Sequence, residues 1–274
     1  MAGNAALLDK GPSMNWATDD GLYRRFKIWK QRCELLFTGP MSRMDEEIKC
    51  KYLLYWAEYS DVFAGIGRFP GPAYHIETDP AVPPVKHPPR QVPVHVQSAY
   101  KDELNKLQEL GILQEVQNEY TPWVNSTVVT SKPNGSIRLC LDPRDLNKAI
   151  KRNPYYVRTI DDVIPKVSGA THFSILDARN GYWQVDIDEE SSKLCTFNTP
   201  WGKYLWTRLP FGLTVSGDVF QKKMDTVFGK VNGLSGIADD TFVYGKSEMA
   251  HDQNILNTLD TARENGVKFK LDKF

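Results

Sequence analysis

The chain has 274 residues, and its 34 Lys and Arg balance 34 Asp and Glu, so the formal net charge at pH 7 is zero. Together with an apolar content of 41%, this balance excludes a histone-like basic binder and an intrinsically disordered chain. The length allows one large domain or two modest ones.

Three features bear on location. The N-terminal residues lack the basic flank and the cleavage pattern of a secretory signal, and no stretch approaches the roughly 18 apolar residues that span a bilayer. The four cysteines are too widely spaced for a zinc or disulfide framework: Cys33, Cys50, Cys140 and Cys195. We therefore expect a soluble intracellular protein, cytoplasmic or nuclear, that is neither secreted nor membrane-bound.

The N-terminal part predicts a helical hairpin followed by an extended connector. Apolar residues from Leu22 to Leu36 recur at steps of three and four, which indicates an amphipathic helix, and a second helix is expected over 42–59. Eight of the seventeen prolines lie between Pro70 and Pro93, where they favour extended backbone. We divide the chain into a helical segment at 1–60, a connector at 61–96 and a main domain at 97–274.

The main domain mixes helices and strands. Tyr100, Leu104 and Leu107 indicate a helix that ends near Gly111, and Asn134-Gly135 predicts the turn of a β-hairpin. The remaining predicted elements are a strand at 173–176, hairpins formed by 193–198 with 203–208 and around 239–240, and helices at 217–228 and 247–265. Because no regular βαβ repeat is present, the pattern predicts an α+β fold.

Acidic residues at the ends of strands suggest a metal site. Asp177 follows an apolar strand, and Asp239 and Asp240 are flanked by two apolar or small-residue runs. Adjacent carboxylates repel unless water or a cation compensates them, and acids from two strands could hold two Mg²⁺ ions for phosphoryl transfer. An isolated Asp-Asp pair is more often a hydrophilic turn or a helix N-cap, and the sequence predicts N-caps at the Asp-Asp pairs 19–20 and 161–162. The spacing of Asp177, Asp239 and Asp240 therefore permits a metal site without proving it.

Four motifs in order resemble the fingers and palm of reverse transcriptases from gypsy-type LTR retrotransposons, over roughly 63–274. They are 141–147 (LDPRDLN), 174–184 (SILDARNGYWQ), 209–213 (LPFGL) with 220–221 (FQ), and 237–240 (IADD). The resemblance implies a polymerase right hand with palm and fingers. Two positions depart from well-known family members, since Ile237 stands where Tyr is familiar and Phe211 where retroviral enzymes have Gln.

The same resemblance implies roles for single residues. Asp177 and Asp239 would coordinate two Mg²⁺ ions, with Mn²⁺ as a substitute, and Asp240 would support them. Tyr182 would lie under the sugar of the incoming dNTP and exclude a ribose 2′-hydroxyl.

The other implied contacts belong to the nucleotide and template. Arg138 would contact the triphosphate and base, and Lys132 would contact phosphate. Phe211 and Gln221 would support the dNTP pocket and the template strand. The plainer alternatives are a core role for Tyr182, a solvated surface position for Lys132 and a helix-surface position for Gln221.

Residues 24–55 resemble, more loosely, a Gag-type capsid segment, and joining it directly to a polymerase suggests a rearranged copy without the protease. The end at Phe274 suggests truncation before the thumb, RNase H and integrase. The expected function is RNA-directed DNA polymerase, with a primed RNA or DNA template, dNTPs and other retrotransposon polypeptides as partners. The alternatives are an inactive relic that binds nucleic acid and an unrelated metal-dependent nuclease.

Overall fold

The computed structural model describes residues 58–117, 119–131, 137–156, 158–237 and 240–270, with the backbone alone at Ser131, Ile237 and Asp240. Its helices are α1 (Val94–Glu109), α2 (Arg144–Ala149), α3 (Ile160–Val163), α4 (Glu189–Leu194), α5 (Ser216–Phe228) and α6 (Glu248–Glu264). Its strands are β1 (Leu113–Glu115), β2 (Ser126–Ser131), β3 (Ile137–Asp142), β4 (His172–Ala178), β5 (Thr196–Thr199), β6 (Gly202–Trp206), β7 (Leu234–Ile237), β8 (Asp240–Gly245) and β9 (Phe269–Lys270). None of the helices in these residues is long and apolar enough to cross a membrane.

The first of two compact units comprises residues 1–65, 160–179 and 230–274. Within its described residues, four strands form an antiparallel sheet in the order β7-β8-β4-β9. Helix α6 packs against β8 and buries Ile255 and Leu259, which lie four residues apart on one helical face. Ser247 caps the start of α6 by accepting a hydrogen bond from the Ala250 amide.

The second unit comprises residues 66–159 and 180–229. It contains an antiparallel three-stranded sheet in the order β1-β6-β5, the hairpin β2-β3, and helix α1 packed against β1 and β3. Trp206 and Phe197 are fully buried in its core, with ring centroids 6.1 Å apart. The interior of this unit is therefore organised around aromatic side chains.

The proline-rich segment runs along the second unit in extended form. Between Pro70 and Pro93 it contains no helix, and its β contacts are isolated bridges such as Tyr74 with Ile187. The Phe69 amide donates to the Gln184 carbonyl at 2.9 Å, and Ile76 is buried. These contacts pack the segment against the rest of the second unit. The division of the chain into domains at residues 60 and 96 remains a prediction.

Most elements predicted for the main domain are confirmed in position. The hairpin β2-β3 is confirmed, with Val129 paired with Leu139, although its Asn-Gly turn lies outside the described residues. The predicted strand at 193–198 is wrong in its first part, because residues 193–194 end helix α4. The side chain of Asp188 caps that helix by accepting from the Ser191 amide at 2.8 Å, and this local bond outweighs the strand-like pattern. The predicted first N-terminal helix lies outside the described residues.

Candidate active site

Asp177 lies one residue before the end of β4, which pairs with β8 on one side and β9 on the other. Burial increases along this strand, from exposed His172 and Phe173 to three buried residues at 176–178. Asp177 itself is only 8% exposed. Because burying a carboxylate without a partner is costly, its neighbours decide what this position can do.

Lys270 of β9 forms an ion pair with this carboxylate. Asp177 and Lys270 are directly opposite one another in the β4-β9 pair. The Lys270 Nζ lies 3.1 Å from both Oδ1 and Oδ2 of Asp177. Opposed residues of paired strands project on the same face of the sheet, so the register itself produces this contact. Lys270 was not predicted as a site residue, because no motif marks it and the pairing joins residues 93 positions apart.

Asp240 begins β8 and is the register partner of Asp177 on the other side of β4. The structure thus brings the backbones of two of the three predicted acids together, while Asp239 lies outside the described residues. Among the side chains that the structure describes, no group of three or more His, Cys, Asp or Glu residues could hold a metal ion. The assignment of all three acids as metal ligands remains a prediction.

The carboxylate of Asp177 is compatible with binding of a hard cation. Carboxylate oxygens are the ligands that Mg²⁺ prefers in proteins. Both oxygens of Asp177 already accept a cationic group, the ammonium of Lys270. Asp177 therefore has the donor chemistry that a divalent ion needs.

In the second unit, Tyr182 packs against two phenylalanine rings. Its ring centroid lies 4.6 Å from that of Phe211 and 5.6 Å from that of Phe220. Tyr182 belongs to a 3₁₀ turn, Gly181–Gln184, that follows Asn180 in the left-handed conformation. A Cβ at Gly181 would lie 3.2 Å from the Phe220 ring, which explains the small residue there. Tyr182 is partly exposed, unlike a fully buried core tyrosine.

Arg138 and Phe211 are neighbours in the same unit. Arg138 is exposed on β3, and its guanidinium carbon lies 5.8 Å from the centroid of the Phe211 ring, within cation–π distance. Three residues predicted to contact dNTP, namely Arg138, Tyr182 and Phe211, are therefore linked by ring contacts. Lys132 lies outside the described residues.

Gln221 lies in helix α5 and is 2% exposed, which excludes a helix-surface position. Its Nε2 donates to Oδ1 of Asp225 at 3.0 Å, so the amide is engaged within its own helix. Its Oε1 is buried and has no hydrogen-bond partner among the described residues. Its predicted role in supporting the pocket remains a prediction.

The loop at 209–213, which carries Phe211, is hydrogen-bonded to the motif at 141–147. Asn147 Nδ2 donates to the Gly212 carbonyl at 2.9 Å, and its Oδ1 accepts from the Thr214 amide at 3.0 Å. Gly212 has a φ of 111°, and a Cβ there would lie 2.2 Å from the Leu141 carbonyl oxygen. Asn147 therefore positions this loop, a role that was not predicted although Asn147 is the last residue of the motif at 141–147.

Helix α5 begins beside an ion pair. Arg152 donates from Nε to Oδ2 of Asp218 at 2.6 Å and from Nη2 to Oδ1 at 3.2 Å. This hydrogen bonding lowers the pKa of the buried Asp218 carboxyl below its ordinary value. The pair joins the segment after α2 to the first turn of α5.

Comparison with solved structures defines the fold class. The chain is similar to prototype foamy virus protease–reverse transcriptase (CSH mutant), with a TM-score of 0.77 and 19% identity over 89% of this chain and 33% of that one. It is also similar to a foamy viral protease–reverse transcriptase in complex with double-stranded DNA, with a TM-score of 0.75 and 19% identity over 84% of this chain and 41% of that one. The fold is that of a reverse transcriptase palm and fingers, as predicted.

The family is established by sequence. A family model described as reverse transcriptase (RNA-dependent DNA polymerase) matches residues 130–274, just over half of the chain. The chain therefore belongs to the reverse transcriptase family.

Curated relatives are much longer proteins. The chain is 32% identical over 223 residues to the uncharacterised protein K02A2.6 of Caenorhabditis elegans, covering 79% of this chain and 17% of that protein. It is 33% identical over 138 residues to the retrovirus-related Pol polyprotein from transposon 412 of Drosophila melanogaster, covering 50% of this chain and 11% of that protein. The chain thus spans less than a fifth of the length of either relative.

Proposed function

We propose that this chain is the RNA-directed DNA polymerase domain of a gypsy-type LTR retrotransposon and adds dNTPs to a primer 3′-hydroxyl by two-metal phosphoryl transfer. The observation that carries the proposal is the register of the first unit's sheet. It sets Asp177 opposite Asp240 in a chain of the reverse transcriptase family. A Gag-like origin of residues 1–60 and the domain division at 60 and 96 belong to the same proposal.

Three acids would hold the metals. Reverse transcriptase domains generally use divalent metal ions. Asp177, Asp239 and Asp240 would bind two Mg²⁺ ions, or Mn²⁺ in their place, through carboxylate oxygens. The bound ions would supply activation of the attacking 3′-hydroxyl and stabilisation of the leaving pyrophosphate. The protein would contribute by holding these acids at the end of the sheet. The β4-β8 pairing holds the backbones of Asp177 and Asp240 next to each other.

The aromatic cluster of the second unit would receive the nucleotide. Tyr182 is braced by Phe211 and Phe220, so its ring is suited to lie under a deoxyribose and to exclude a 2′-hydroxyl. Arg138, steadied over the Phe211 face, carries the forked donors that suit a triphosphate. Lys132 would add a point charge on phosphate, and Gln221 would support the pocket from within α5.

The proposed partners are a primed RNA or DNA template, dNTPs and other retrotransposon polypeptides, in an intracellular setting, cytoplasmic or nuclear. Two foamy viral protease–reverse transcriptase structures similar in fold contain double-stranded DNA and an RNA/DNA hybrid. Because the net charge of this chain is zero, its affinity for phosphates depends on local basic patches rather than on overall charge.

The proposal is tested by measuring Mg²⁺-dependent incorporation of labelled dNTP on primed RNA and primed DNA, with binding of the same primer-template measured in parallel. We expect the wild-type chain to incorporate, and we expect Asp177→Asn to lose incorporation while keeping the binding. The substitution removes a charged metal ligand and leaves the side-chain shape almost unchanged.

Other outcomes favour other functions. Incorporation by Asp177→Asn at the wild-type rate contradicts the assignment of the site. Salt-dependent binding without incorporation by the wild type favours the inactive binding module. Cleavage of labelled RNA by the wild type, abolished in Asp239→Ala, favours the nuclease.

A further inference from the structure

We infer that Lys270 competes with the divalent metal ion for Asp177. Its ammonium contacts both carboxylate oxygens of Asp177 and has to leave them when the ion binds. This inference rests on the proposed function, since it requires Asp177 to be a metal ligand. It adds a residue that sets the metal concentration at which the site fills.

The contact geometry supports competition. The Lys270 Nζ lies at the same distance, 3.1 Å, from both carboxylate oxygens of Asp177. It therefore engages both of the carboxylate oxygens through which Asp177 would hold a metal ion. A divalent ion and an ammonium group cannot share those two oxygens without electrostatic repulsion between them.

The Lys270 side chain can withdraw without moving its strand. The β9 backbone is anchored by its pairing with β4 and by a hydrogen bond from the Phe269 amide to the Val62 carbonyl at 3.0 Å. Phe269 is fully buried, whereas the Lys270 side chain is 32% exposed. Since the ammonium is carried on a flexible four-carbon stem that reaches solvent, exchange requires only side-chain rotation.

The closeness of acidic residues in sequence and strand register explains why a cation such as Lys270 is needed next to Asp177. Asp240 is the register partner of Asp177, and Asp239 precedes it in the chain. Like charges brought together in a folded chain destabilise it unless a cation compensates them. Lys270 provides that compensation before metal binds, and the compensation weakens the attraction of the site for the metal.

The test measures Mn²⁺ binding to the full chain by the electron paramagnetic resonance signal of free Mn²⁺, without substrate or turnover. We expect the Mn²⁺ concentration at half-saturation to fall by about fivefold to tenfold in Lys270→Gln, because a competing charge is removed. Lys270→Arg keeps the charge and is expected to bind Mn²⁺ like the wild type, within about twofold.

A matched control removes a charge nearby. Lys268 lies two residues before Lys270, and its charge acts on Asp61, where it helps to lower the carboxyl pKa. Lys268→Gln changes the net charge by the same amount as Lys270→Gln. We expect its Mn²⁺ affinity to remain at the wild-type value, which separates local competition from a change in overall charge.

A second readout follows thermal unfolding in EDTA and in Mn²⁺. We expect Lys270→Gln to melt at a lower temperature than the wild type in EDTA and to gain more than the wild type from added Mn²⁺. Equal gains in the two proteins contradict the inference.

Failure of the inference and failure of the proposed function give different results. If Asp177→Asn weakens Mn²⁺ binding but Lys270→Gln leaves it unchanged, Lys270 does not compete and the metal site stands. If Asp177→Asn binds Mn²⁺ as the wild type does, Asp177 is not a metal ligand and the proposed site itself is wrong.

Discussion

Tyr182 is held by ring contacts with Phe211 and Phe220 yet remains partly exposed. A residue in that position can present its ring to a ligand while the two phenylalanines fix its orientation. Selection against a 2′-hydroxyl by such a ring is a steric effect, so it depends on ring size and not on the phenolic oxygen.

We therefore expect Tyr182→Ala to raise the ratio of rNTP to dNTP incorporation by about tenfold or more, since pocket contacts of this size discriminate by that order. Tyr182→Phe keeps the ring and should retain the wild-type ratio. The measurement is single-nucleotide extension with each nucleotide type in turn. An unchanged ratio in Tyr182→Ala would remove the proposed role of this side chain.

The roles of Lys270 and Asn147 could not be predicted from the sequence, whereas a role for the motif acids could. The acids Asp177, Asp239 and Asp240 stand in recognisable motifs, so a metal-binding role for them follows from residue type and order and stays a prediction. The contact of Lys270 with Asp177 depends on strand register over 93 positions, and no local pattern encodes it. Asn147 lies inside a motif, but its two hydrogen bonds to the loop at 209–213 become visible only in the fold.

At the scale of elements, the loop carrying Phe211 depends on Gly212. Its φ of 111° lies in a region that L side chains rarely adopt, and an added Cβ would meet the Leu141 carbonyl oxygen at 2.2 Å. The Leu141 carbonyl oxygen is a backbone atom, so it cannot move aside as the end of a flexible side chain can. The loop and the motif at 141–147 must therefore separate if a larger residue is introduced.

We expect Gly212→Ala to lower the free energy of unfolding by about 2–4 kcal/mol, through strain and steric overlap with backbone. Gly217→Ala is the matched control, because its added Cβ would find no atom nearer than 3.8 Å, and it lies within helix α5. We expect that control to be neutral or slightly stabilising, as alanine is the better helix former. Urea unfolding of the three proteins checks both expectations, and equal losses in the two variants would contradict the account.

The start of helix α5 predicts a pH dependence of stability. Arg152 lowers the pKa of Asp218, so the stabilisation is complete above the ordinary carboxyl value of 3.8 and is lost as the pH falls through the lowered pKa. We expect Asp218→Asn to cost roughly 1 kcal/mol at pH 7, a modest value because Arg152 is 54% exposed.

The measurement is the free energy of unfolding of the wild type and Asp218→Asn from pH 7 down to the acid range. The difference between the two proteins should shrink as Asp218 becomes protonated in the wild type. Arg152→Gln should show the same pattern, since it removes the other half of the pair. A difference that stays constant with pH would exclude the ion pair as its source.

Element boundaries could be predicted where periodicity or turn chemistry is strong. Helices α1, α5 and α6 and the hairpin β2-β3 follow from apolar spacing and an Asn-Gly pair. The last two residues of helix α4 were assigned to a strand because its six residues are too few to establish a helical period, and a local cap at Asp188 decides the helix. Strand β9 has two residues and carries no pattern, so it was not predicted.

At the scale of the whole molecule, the chain interleaves its two units. The first unit is assembled from three separate segments of sequence and the second from two. Periodicity reports on neighbours along the chain, whereas this assembly is decided by strand pairing between distant segments such as β4, β8 and β9. The fold class was therefore predictable from motif order, but the composition of each unit was not.

The proposed function requires this chain to polymerise DNA through acids at the end of the sheet β7-β8-β4-β9. Primer extension on poly(rA) with oligo(dT), comparing the wild type with Asp239→Asn in Mg²⁺ and in Mn²⁺, tests it most directly. We predict extension by the wild type with either ion and its loss in the variant, with matching circular dichroism spectra. Extension by Asp239→Asn at the wild-type rate would contradict the claim, as would a folded wild type that extends no primer with either ion.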